Sequence, residues 1–320
     1  MKKLNFWQHR AHVSRSSALL IIFFLCASFA SAHLTTLTQN GIVNSNLLFS
    51  TDPPNAGEQV RVMIELKNAT DWAPITDLDI VHERKMHIFV IGEDLTDFSH
   101  VHIEDTKQPP NASLLGDYYL DYTFKKGGNY AIVLDYTLFG QNMMDIFYTS
   151  PSGFPKMKSN DQLPRLEDEV DGYKITLQTD SLISGRESQL NFKYTKDGNE
   201  VRNIQPYLGS ELHLLAIKDD LTNPGHTHAY IPAHYVHFGA MPQIYYGPTV
   251  PVRYTFPIDG KYVLFAQSQI DGKIVTSSFI VKVESQESVK ELQNLMFAGA
   301  GFAVFLGLVA FVLYRFSKIN

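Results

Sequence analysis

Met86-His-Ile-Phe-Val-Ile-Gly-Glu-Asp-Leu-Thr96 is repeated further along the chain as Leu212-His-Leu-Leu-Ala-Ile-Lys-Asp-Asp-Leu-Thr222. Each copy is a short apolar run that ends in a turn sequence, which is the pattern of a buried β-strand. The copies lie about 130 residues apart, which suits a whole sandwich domain and is too long for one solenoid unit. The sequence therefore predicts a duplicated β domain.

The repeat extends to the flanking segments. Tyr122-Thr-Phe124 matches Tyr254-Thr-Phe256, and a glycine and a tyrosine follow each copy at the same spacing. Val60–Leu66 and Gln189–Tyr194 alternate apolar and polar residues, as half-buried strands do. We predict an all-β fold of two tandem Ig-like β-sandwich domains at residues 33–150 and 172–285, each able to fold alone. The polar stretch 151–171 is the predicted linker.

The N-terminal segment has the layout of a signal peptide. Lys2 and Lys3 precede the apolar run from Ala18 to Phe29, and Ala30-Ser-Ala32 supplies small residues for cleavage. Residues 1–32 are therefore predicted to be removed. Cleavage would take away Cys26, the one cysteine in the chain, so the mature protein would contain no disulfide.

The C-terminal segment predicts a membrane anchor. Residues 295–314 form an uncharged apolar run that is long enough for a transmembrane helix. Arg315 and Lys318 follow it, so the positive-inside rule places tail 315–320 in the cytosol. The protein is thus predicted to be single-pass, with an extracellular, periplasmic or lumenal ectodomain. Within the helix, small residues form a face suited to a partner helix: Gly299, Ala303 and Gly307.

The ectodomain is acidic. From His33 to Glu291 there are 21 Lys and Arg against 33 Asp and Glu, a formal charge of −12. Such a surface repels phosphate backbones, which excludes nucleic acid as a partner. Asn68 and Asn111 each begin a glycosylation sequon, but the sequence does not decide whether they are modified.

Histidines supply the candidate chemistry. Each repeat contains the spacing H-x12-H-x-H, with the residues His87, His100, His102, His213, His226 and His228. A hairpin centred near Asp94 and Leu95 would place His87 opposite His102, about 5 Å away. Alternation puts His100 on the same face as His102. We therefore predict one three-histidine site for copper or zinc in each repeat, with the two sites in separate domains.

Two other interpretations of the histidines remain open. They could form a structural hydrogen-bond network with Asp94 and Asp220, or they could act as a pH sensor. Other histidines are candidates for further ligands: His82, His234, His237 and His33, the last through its imidazole and the new N-terminal amine.

Catalytic motifs are missing from the sequence. His82-Glu-Arg-Lys-Met-His87 is one residue longer than a zincin motif and lies on a predicted strand. The chain has no nucleophile elbow and no phosphate-binding loop. We predict no catalytic residues, and the sequence favours a binding protein over an enzyme.

His82-Glu-Arg-Lys-Met-His-Ile-Phe-Val90 with Phe98-Ser-His-Val-His102, and His213-Leu-Leu with His226-Thr-His228, resemble the YtkA-like module, a secreted Ig-like β-sandwich. Gly260-Lys-Tyr-Val-Leu-Phe-Ala-Gln267 also resembles it. The resemblance covers most of residues 50–284 and implies a sandwich fold and an association with copper and other heavy metals. The module has proline after its H-x-H, where this chain has Ile103 and Ala229.

These observations together predict a membrane-anchored, extracytoplasmic protein that binds a transition metal, with copper favoured, for sensing, scavenging or delivery. One alternative is a cell-surface adhesion or assembly protein with structural histidines. A second alternative is a metalloenzyme, which would need a cleft beside the histidines.

Overall fold

The computed structural model describes residues 34–37, 41–155, 163–229, 247–291 and 306–309. The predicted signal peptide, His33, His234 and His237 lie outside these ranges, as does most of the predicted membrane segment. Residues 306–309 within that segment are helical. Among the described residues, no helix has the length and apolar character needed to cross a bilayer. The membrane anchor stays a prediction.

Repeat one, residues 34–155, forms two antiparallel four-stranded sheets. One sheet has the strand order β1-β2-β3-β6 and the other has the order β5-β4-β7-β8. Two short 3-10 helices connect β5 to β6, at Ile103–Asp105 and Ala112–Leu115. The strands are β1 (Leu34–Leu37), β2 (Val43–Phe49), β3 (Gln59–Asn68), β4 (Met86–Gly92), β5 (Phe98–His102), β6 (Asp117–Thr123), β7 (Tyr130–Leu138) and β8 (Gln141–Thr149).

Repeat two, residues 163–285, has the same topology. Its sheets have the orders β16-β11-β10-β9 and β15-β14-β17-β18, with two short strands added, β12 on β11 and β13 on β17. The strands are β9 (Glu167–Val170), β10 (Tyr173–Thr179), β11 (Glu187–Lys196), β12 (Asn199–Glu200), β13 (Ile204–Gln205), β14 (His213–Lys218), β15 (Gly225–His228), β16 (Thr249–Thr255), β17 (Gly260–Ile270) and β18 (Lys273–Val283). The prediction of an all-β, repeated sandwich is confirmed.

Each repeat has its own apolar core between its two sheets. In β3 the residues Val60, Val62, Ile64 and Leu66 alternate with more exposed positions and face the core of repeat one. In β11, Leu190, Phe192 and Tyr194 do the same in repeat two. Period-two burial of this kind is what removes a strand's apolar side chains from water while leaving its polar ones solvated.

A third apolar cluster joins the two repeats. Strand β4 is buried on both faces: Ile88 and Val90 contact the core of repeat one, whereas Phe89 and Ile91 lie in the third cluster. A strand buried on both faces reads as a continuous apolar run, which explains why this segment shows no alternation. The cluster contains Phe89, Ile91, Leu95, Ala131 and Val133 of repeat one and Leu215, Ile217, Leu221, Val263, Phe265 and Ile280 of repeat two.

The contact between the repeats is therefore part of the fold. The described residues of the two repeats belong to one compact unit, and Phe98 of repeat one stacks on Phe265 of repeat two with ring centroids 4.3 Å apart. The sequence did not predict this interface, and independent folding of each repeat stays a prediction. The candidate histidines lie along the same interface.

The hydroxyl of Tyr148 donates a hydrogen bond from repeat one to the Leu221 carbonyl of repeat two at 3.1 Å. We expect Tyr148→Phe to lower the free energy of unfolding by about 1 kcal/mol, a usual net value for one hydrogen bond. Urea unfolding monitored by tyrosine fluorescence measures the change. Tyr119→Phe, which removes a contact to the Met63 sulfur within repeat one, is the control and should have a smaller effect. Equal stability of Tyr148→Phe and wild type would contradict this bond.

Candidate metal centre

The strand register places the six repeated histidines at equivalent positions. In the β4–β5 hairpin His87 pairs with His102, and in the β14–β15 hairpin His213 pairs with His228. The predicted cross-strand placement is thus confirmed in both repeats. His100 lies two residues before His102 and points to the same face.

In repeat one the three imidazoles converge through defined nitrogen atoms. His87 Nδ1 lies 2.9 Å from His100 Nε2. His102 Nε2 lies 3.2 Å from the same His100 nitrogen. The side chains of His87 and His102 are almost fully buried, at 4% and 3% exposure. The first predicted site is therefore assembled as three adjacent, inward-facing nitrogens.

Repeat two repeats this arrangement with slightly longer contacts. His213 Nδ1 lies 3.4 Å from His226 Nε2. The ring of His228 lies 4.3 Å from that of His226 and 4.5 Å from that of His213. The His228 Nε2 atom is buried and has no hydrogen-bond partner.

The two sets form one cluster at the interface between the repeats. The His87 ring centroid lies 5.1 Å from that of His226 and 5.8 Å from that of His213. Two sets of three histidines each bring their ligand nitrogens within 4.8 Å of one another. One set is His87, His100 and His102, and the other is His87, His213 and His226. The expectation of two sites in separate domains is corrected by this geometry, because the shared apolar interface docks the two histidine hairpins side by side.

Oxygen atoms bind the outer nitrogen of five of the six rings. The acceptors are the Val81 carbonyl for His87 Nε2, Gln267 Oε1 for His100 Nδ1, Asp105 Oδ2 for His102 Nδ1, the Tyr207 carbonyl for His213 Nε2, and Asp135 Oδ2 for His226 Nδ1. The distances run from 2.5 to 3.3 Å. An oxygen of this kind accepts, so each outer nitrogen donates its N–H and a neutral ring keeps its lone pair on the inner nitrogen.

Asp135 and Gln267 hold the histidines of the opposite repeat. Asp135 pairs with His87 across β4 and β7, and Gln267 pairs with His213 at the equivalent register of β14 and β17. The His226 N–H nevertheless donates across the interface to Asp135 at 2.5 Å, and the His100 N–H donates to Gln267 at 2.7 Å. Each repeat therefore supplies one acceptor to a histidine of the other repeat.

Neither Asp135 nor Gln267 was predicted as a functional residue. The available signal was a charged residue, Asp135, within the buried strand Tyr130–Leu138, and the polar run Gln267-Ser-Gln269 that interrupts the apolar strand Gly260–Ile270. Buried polar groups require a partner, so that pattern points to a polar site without saying which residue it serves.

Of the additional predicted ligands, His82 is the one within the described residues. Its ring stacks on His228 at 3.6 Å between centroids and lies 5.8 Å from that of His213. It therefore reaches from repeat one to the histidines of repeat two. His82 has a positive φ of 49°, which is unusual for a residue other than glycine.

Burial keeps the imidazoles of the cluster neutral. It lowers the pKa of His87 to about 4, with His102 adding to the effect. It lowers the pKa of His213 to about 3. The pKa values of His100 and His226 fall well below the usual range, first through burial and then through neighbouring imidazoles. Neutral imidazole is the form that binds metal ions.

Asp94 and Asp220 form hydrogen bonds within or beside the turns of their own hairpins. Asp94 accepts hydrogen bonds from the Thr96 and Asp97 backbone and from Lys126, and Asp220 accepts bonds from Thr222. Each carboxylate therefore stabilises the turn of its own hairpin.

A cavity of about 490 Å³ opens beside the cluster. Its lining includes His82, His87, His226, His228 and Asp135. Arg84 and Lys85 also line the cavity, and the Arg84 Nε atom is buried without a hydrogen-bond partner. Its volume falls in the range of small-molecule sites.

A family model described as Domain of unknown function (DUF8832) matches residues 42–150 and 168–285. The chain belongs to this family. The two matched segments coincide with the two sandwiches, so each DUF8832 segment carries one histidine hairpin. No curated protein matches the chain.

Several solved structures are similar to this pair of DUF8832 segments at 11–13% sequence identity. The match to the Escherichia coli adhesin FdeC covers 75% of this chain and 63% of that one, with a TM-score of 0.23. The match to Salmonella alpha-2-macroglobulin covers 79% and 15%, with a TM-score of 0.25. The match to the complex of Dpr2 Ig1-Ig2 with DIP-Theta Ig1-Ig3 covers 75% and 99%, with a TM-score of 0.18. The chain thus spans less than two thirds of the first two chains, and similarity at these scores carries no argument about function.

Proposed function

We propose that this protein binds a transition metal, with copper favoured, at the histidine cluster between its two sandwiches. The ectodomain would lie outside the cytosol on a C-terminal membrane anchor and would serve in metal sensing, scavenging or delivery. One observation carries the metal-binding proposal: inner imidazole nitrogens face one another at 2.9, 3.2 and 3.4 Å. The localisation rests on the sequence at the two ends of the chain.

A metal ion between the rings would account for those nitrogen contacts. In His87, His100, His102, His213 and His226 the outer nitrogen donates to an oxygen, so in these neutral rings the inner nitrogen carries a lone pair. Two lone pairs at hydrogen-bond distance repel unless a proton or a metal ion lies between them. Because burial lowers the pKa values of His87 and His213 to about 4 and about 3, a proton is not held there at neutral pH.

The distances and the donor set fit such an ion. Zinc– or copper–imidazole bonds of about 2.0–2.1 Å at tetrahedral angles separate two nitrogens by about 3.3 Å. The observed contacts lie close to this value. The buried, unpartnered Nε2 of His228 is a further donor that an ion would satisfy. Imidazole suits both copper and zinc, so the resemblance to copper-associated modules is what favours copper.

Outer hydrogen bonds would hold each ligand ready for the ion. Backbone carbonyls fix His87 and His213, while side-chain acceptors fix His100 and His226. Such bonds set the tautomer and the ring orientation, and they raise the basicity of the ligating nitrogen. The site is therefore organised before an ion arrives.

The cavity beside the cluster supports a second candidate function, that of a metalloenzyme. A catalytic metal needs an open position next to a space for substrate. The 490 Å³ cavity reaches His87, His226 and His228, so an ion held by them would face that space. Binding of a small ligand to the metal-loaded protein, detected as a change in the metal's electronic spectrum, would distinguish this candidate from simple storage.

Calorimetric titration of Cu(II) and Zn(II) into the full chain, purified without a histidine tag, tests the proposal. We expect His100→Ala and His226→Ala to weaken metal binding by more than about 100-fold, since even loss of an outer-shell partner costs about 10–100-fold. Gln189→Ala, on the outer sheet of repeat two, is the control and should bind normally.

The histidines have a different expected behaviour if they are only structural. In that case His100→Ala lowers the free energy of unfolding by about 1–3 kcal/mol with or without metal. Equal metal uptake by wild type and both histidine variants contradicts the metal site. Melting curves recorded beside the titrations separate the two results.

A further inference from the structure

We propose that the histidine cluster is a dinuclear centre that binds two metal ions of unequal affinity, the tighter one at His226. This inference rests on the proposed metal-binding function. It concerns the number of ions and their order of binding, neither of which follows from metal binding alone.

The number of inward-facing nitrogens exceeds what one ion uses. Copper and zinc take about four ligands in sites of this type, commonly three imidazoles and one exchangeable ligand. The cluster offers six imidazoles, and five of them have their outer nitrogen bound to an oxygen. One four-coordinate ion would leave at least two inward-facing lone pairs without a ligand, which is costly wherever the nitrogen is shielded from water.

The geometry divides the donors between two neighbouring positions. The convergent groups are His87 with His100 and His102, and His87 with His213 and His226. His87 belongs to both, but its single inner lone pair serves one ion. His228 can replace it in the second group, because its Nε2 is buried and unpartnered and its ring adjoins His213 and His226.

The two positions lie close together. The ring centroids of His87 and His213, the equivalent first ligands of the two repeats, are 5.8 Å apart, and the rings are inclined by 33°. The ring centroids of His100 and His213 are 5.7 Å apart. Two Cu(II) ions held by such neighbours are near enough for their unpaired electron spins to interact.

Asp135 and Gln267 make the two positions unequal. They occupy the same register in the two repeats, yet one is an anionic carboxylate and the other a neutral amide. Asp135 accepts the His226 N–H, and Gln267 accepts the His100 N–H. A carboxylate acceptor makes the ligating nitrogen a stronger donor and adds negative charge near the cation. We therefore assign the tighter ion to His213, His226 and His228.

Equilibrium dialysis of the full chain against Cu(II), followed by electron paramagnetic resonance, tests the inference. We expect two ions per chain. The first equivalent should give the full signal of an isolated Cu(II). The second should reduce the signal per copper or produce a half-field transition, because the two spins then interact.

Two reciprocal variants test the assigned order. Asp135→Asn should lower the affinity for the more tightly bound ion by about 10–100-fold and leave the affinity for the other ion nearly unchanged. Gln267→Glu should raise the affinity for the more weakly bound ion, so that the two affinities become more similar. Glu169→Gln, which removes an exposed carboxylate from the outer sheet of repeat two, is the matched charge control and should change neither.

The outcomes are separable. Uptake of no copper contradicts the proposed function itself. Uptake of one ion per chain with a full isolated-ion signal overturns the dinuclear centre while leaving metal binding intact. Two ions without any spin interaction also overturn it. An effect of Asp135→Asn on the weaker ion alone overturns the assigned order.

Discussion

The metal-free protein is expected to lose stability steeply as the pH falls from about 6.5 to about 4. Seven histidines of the interface have lowered pKa values, and burial is the first cause for each: His82, His87, His100, His102, His213, His226 and His228. Acid should therefore favour the unfolded state, because in this pH range only the unfolded chain binds protons at these histidines.

The direction of the effect follows from where those protons go. Above pH 6.5 the histidines are neutral in both states. Below it the unfolded chain binds protons at the ordinary histidine pKa, whereas folded His87 does not until its pKa of about 4. Each such histidine lowers the free energy of unfolding by about 1.4 kcal/mol per pH unit in this window.

Two buried carboxyl groups act in the opposite direction. Burial raises the pKa of Asp145 to about 6, and burial also raises the pKa of Asp135. The folded state therefore gains protons at these groups above the range in which unfolded aspartates titrate. Two carboxyl groups offset part of the effect of seven histidines, so a net loss of stability remains.

Urea unfolding of the metal-free full chain at pH 7, 6, 5 and 4.5 measures this loss. His100→Gln should flatten the dependence by about one proton, since it removes one titrating group. Tyr119→Phe, remote from the cluster, should leave the slope unchanged. A free energy of unfolding that is constant between pH 7 and 5 would show that the histidines are already protonated or not buried.

The sequence predicted the local geometry of the centre but not its assembly. The alternation of a strand and the length of the turn determine that His87 lies opposite His102, and the repeat transfers this result to His213 and His228. Docking of the hairpins depends instead on Phe89, Ile91 and their partners in repeat two. A strand buried on both faces shows a continuous apolar run, and that run does not identify which surface covers the second face.

The contributions of Asp135 and Gln267 were missed for a related reason. Each is bonded to a histidine of the other repeat, far away in the sequence. Local patterns report neighbours on the same strand or hairpin, whereas these hydrogen bonds exist only once the sheets are docked. The mixed group of His87, His213 and His226 is likewise a product of tertiary structure.

Separating the two repeats should abolish tight metal binding. Fragments 33–155 and 168–285 each retain a complete sandwich core, so we expect both to give β-type circular dichroism and cooperative unfolding. Each fragment would, however, expose its half of the interface cluster, including Phe89 in one and Phe265 in the other. His100 and His226 would also lose the acceptors that orient them.

Mixing the fragments should restore the centre. The apolar interface favours reassociation because it removes those side chains from water, and the reassociated pair should regain the copper affinity of the full chain. Analytical ultracentrifugation with and without Cu(II) measures the association, and calorimetry measures the affinity. Phe265→Ala in the second fragment should weaken the association, whereas Phe139→Ala in the first, at a position 87% exposed, should not. Fragments that remain monomeric when mixed, yet each bind copper as tightly as the full chain, would show that the two sites are independent and that the interface contributes nothing to them.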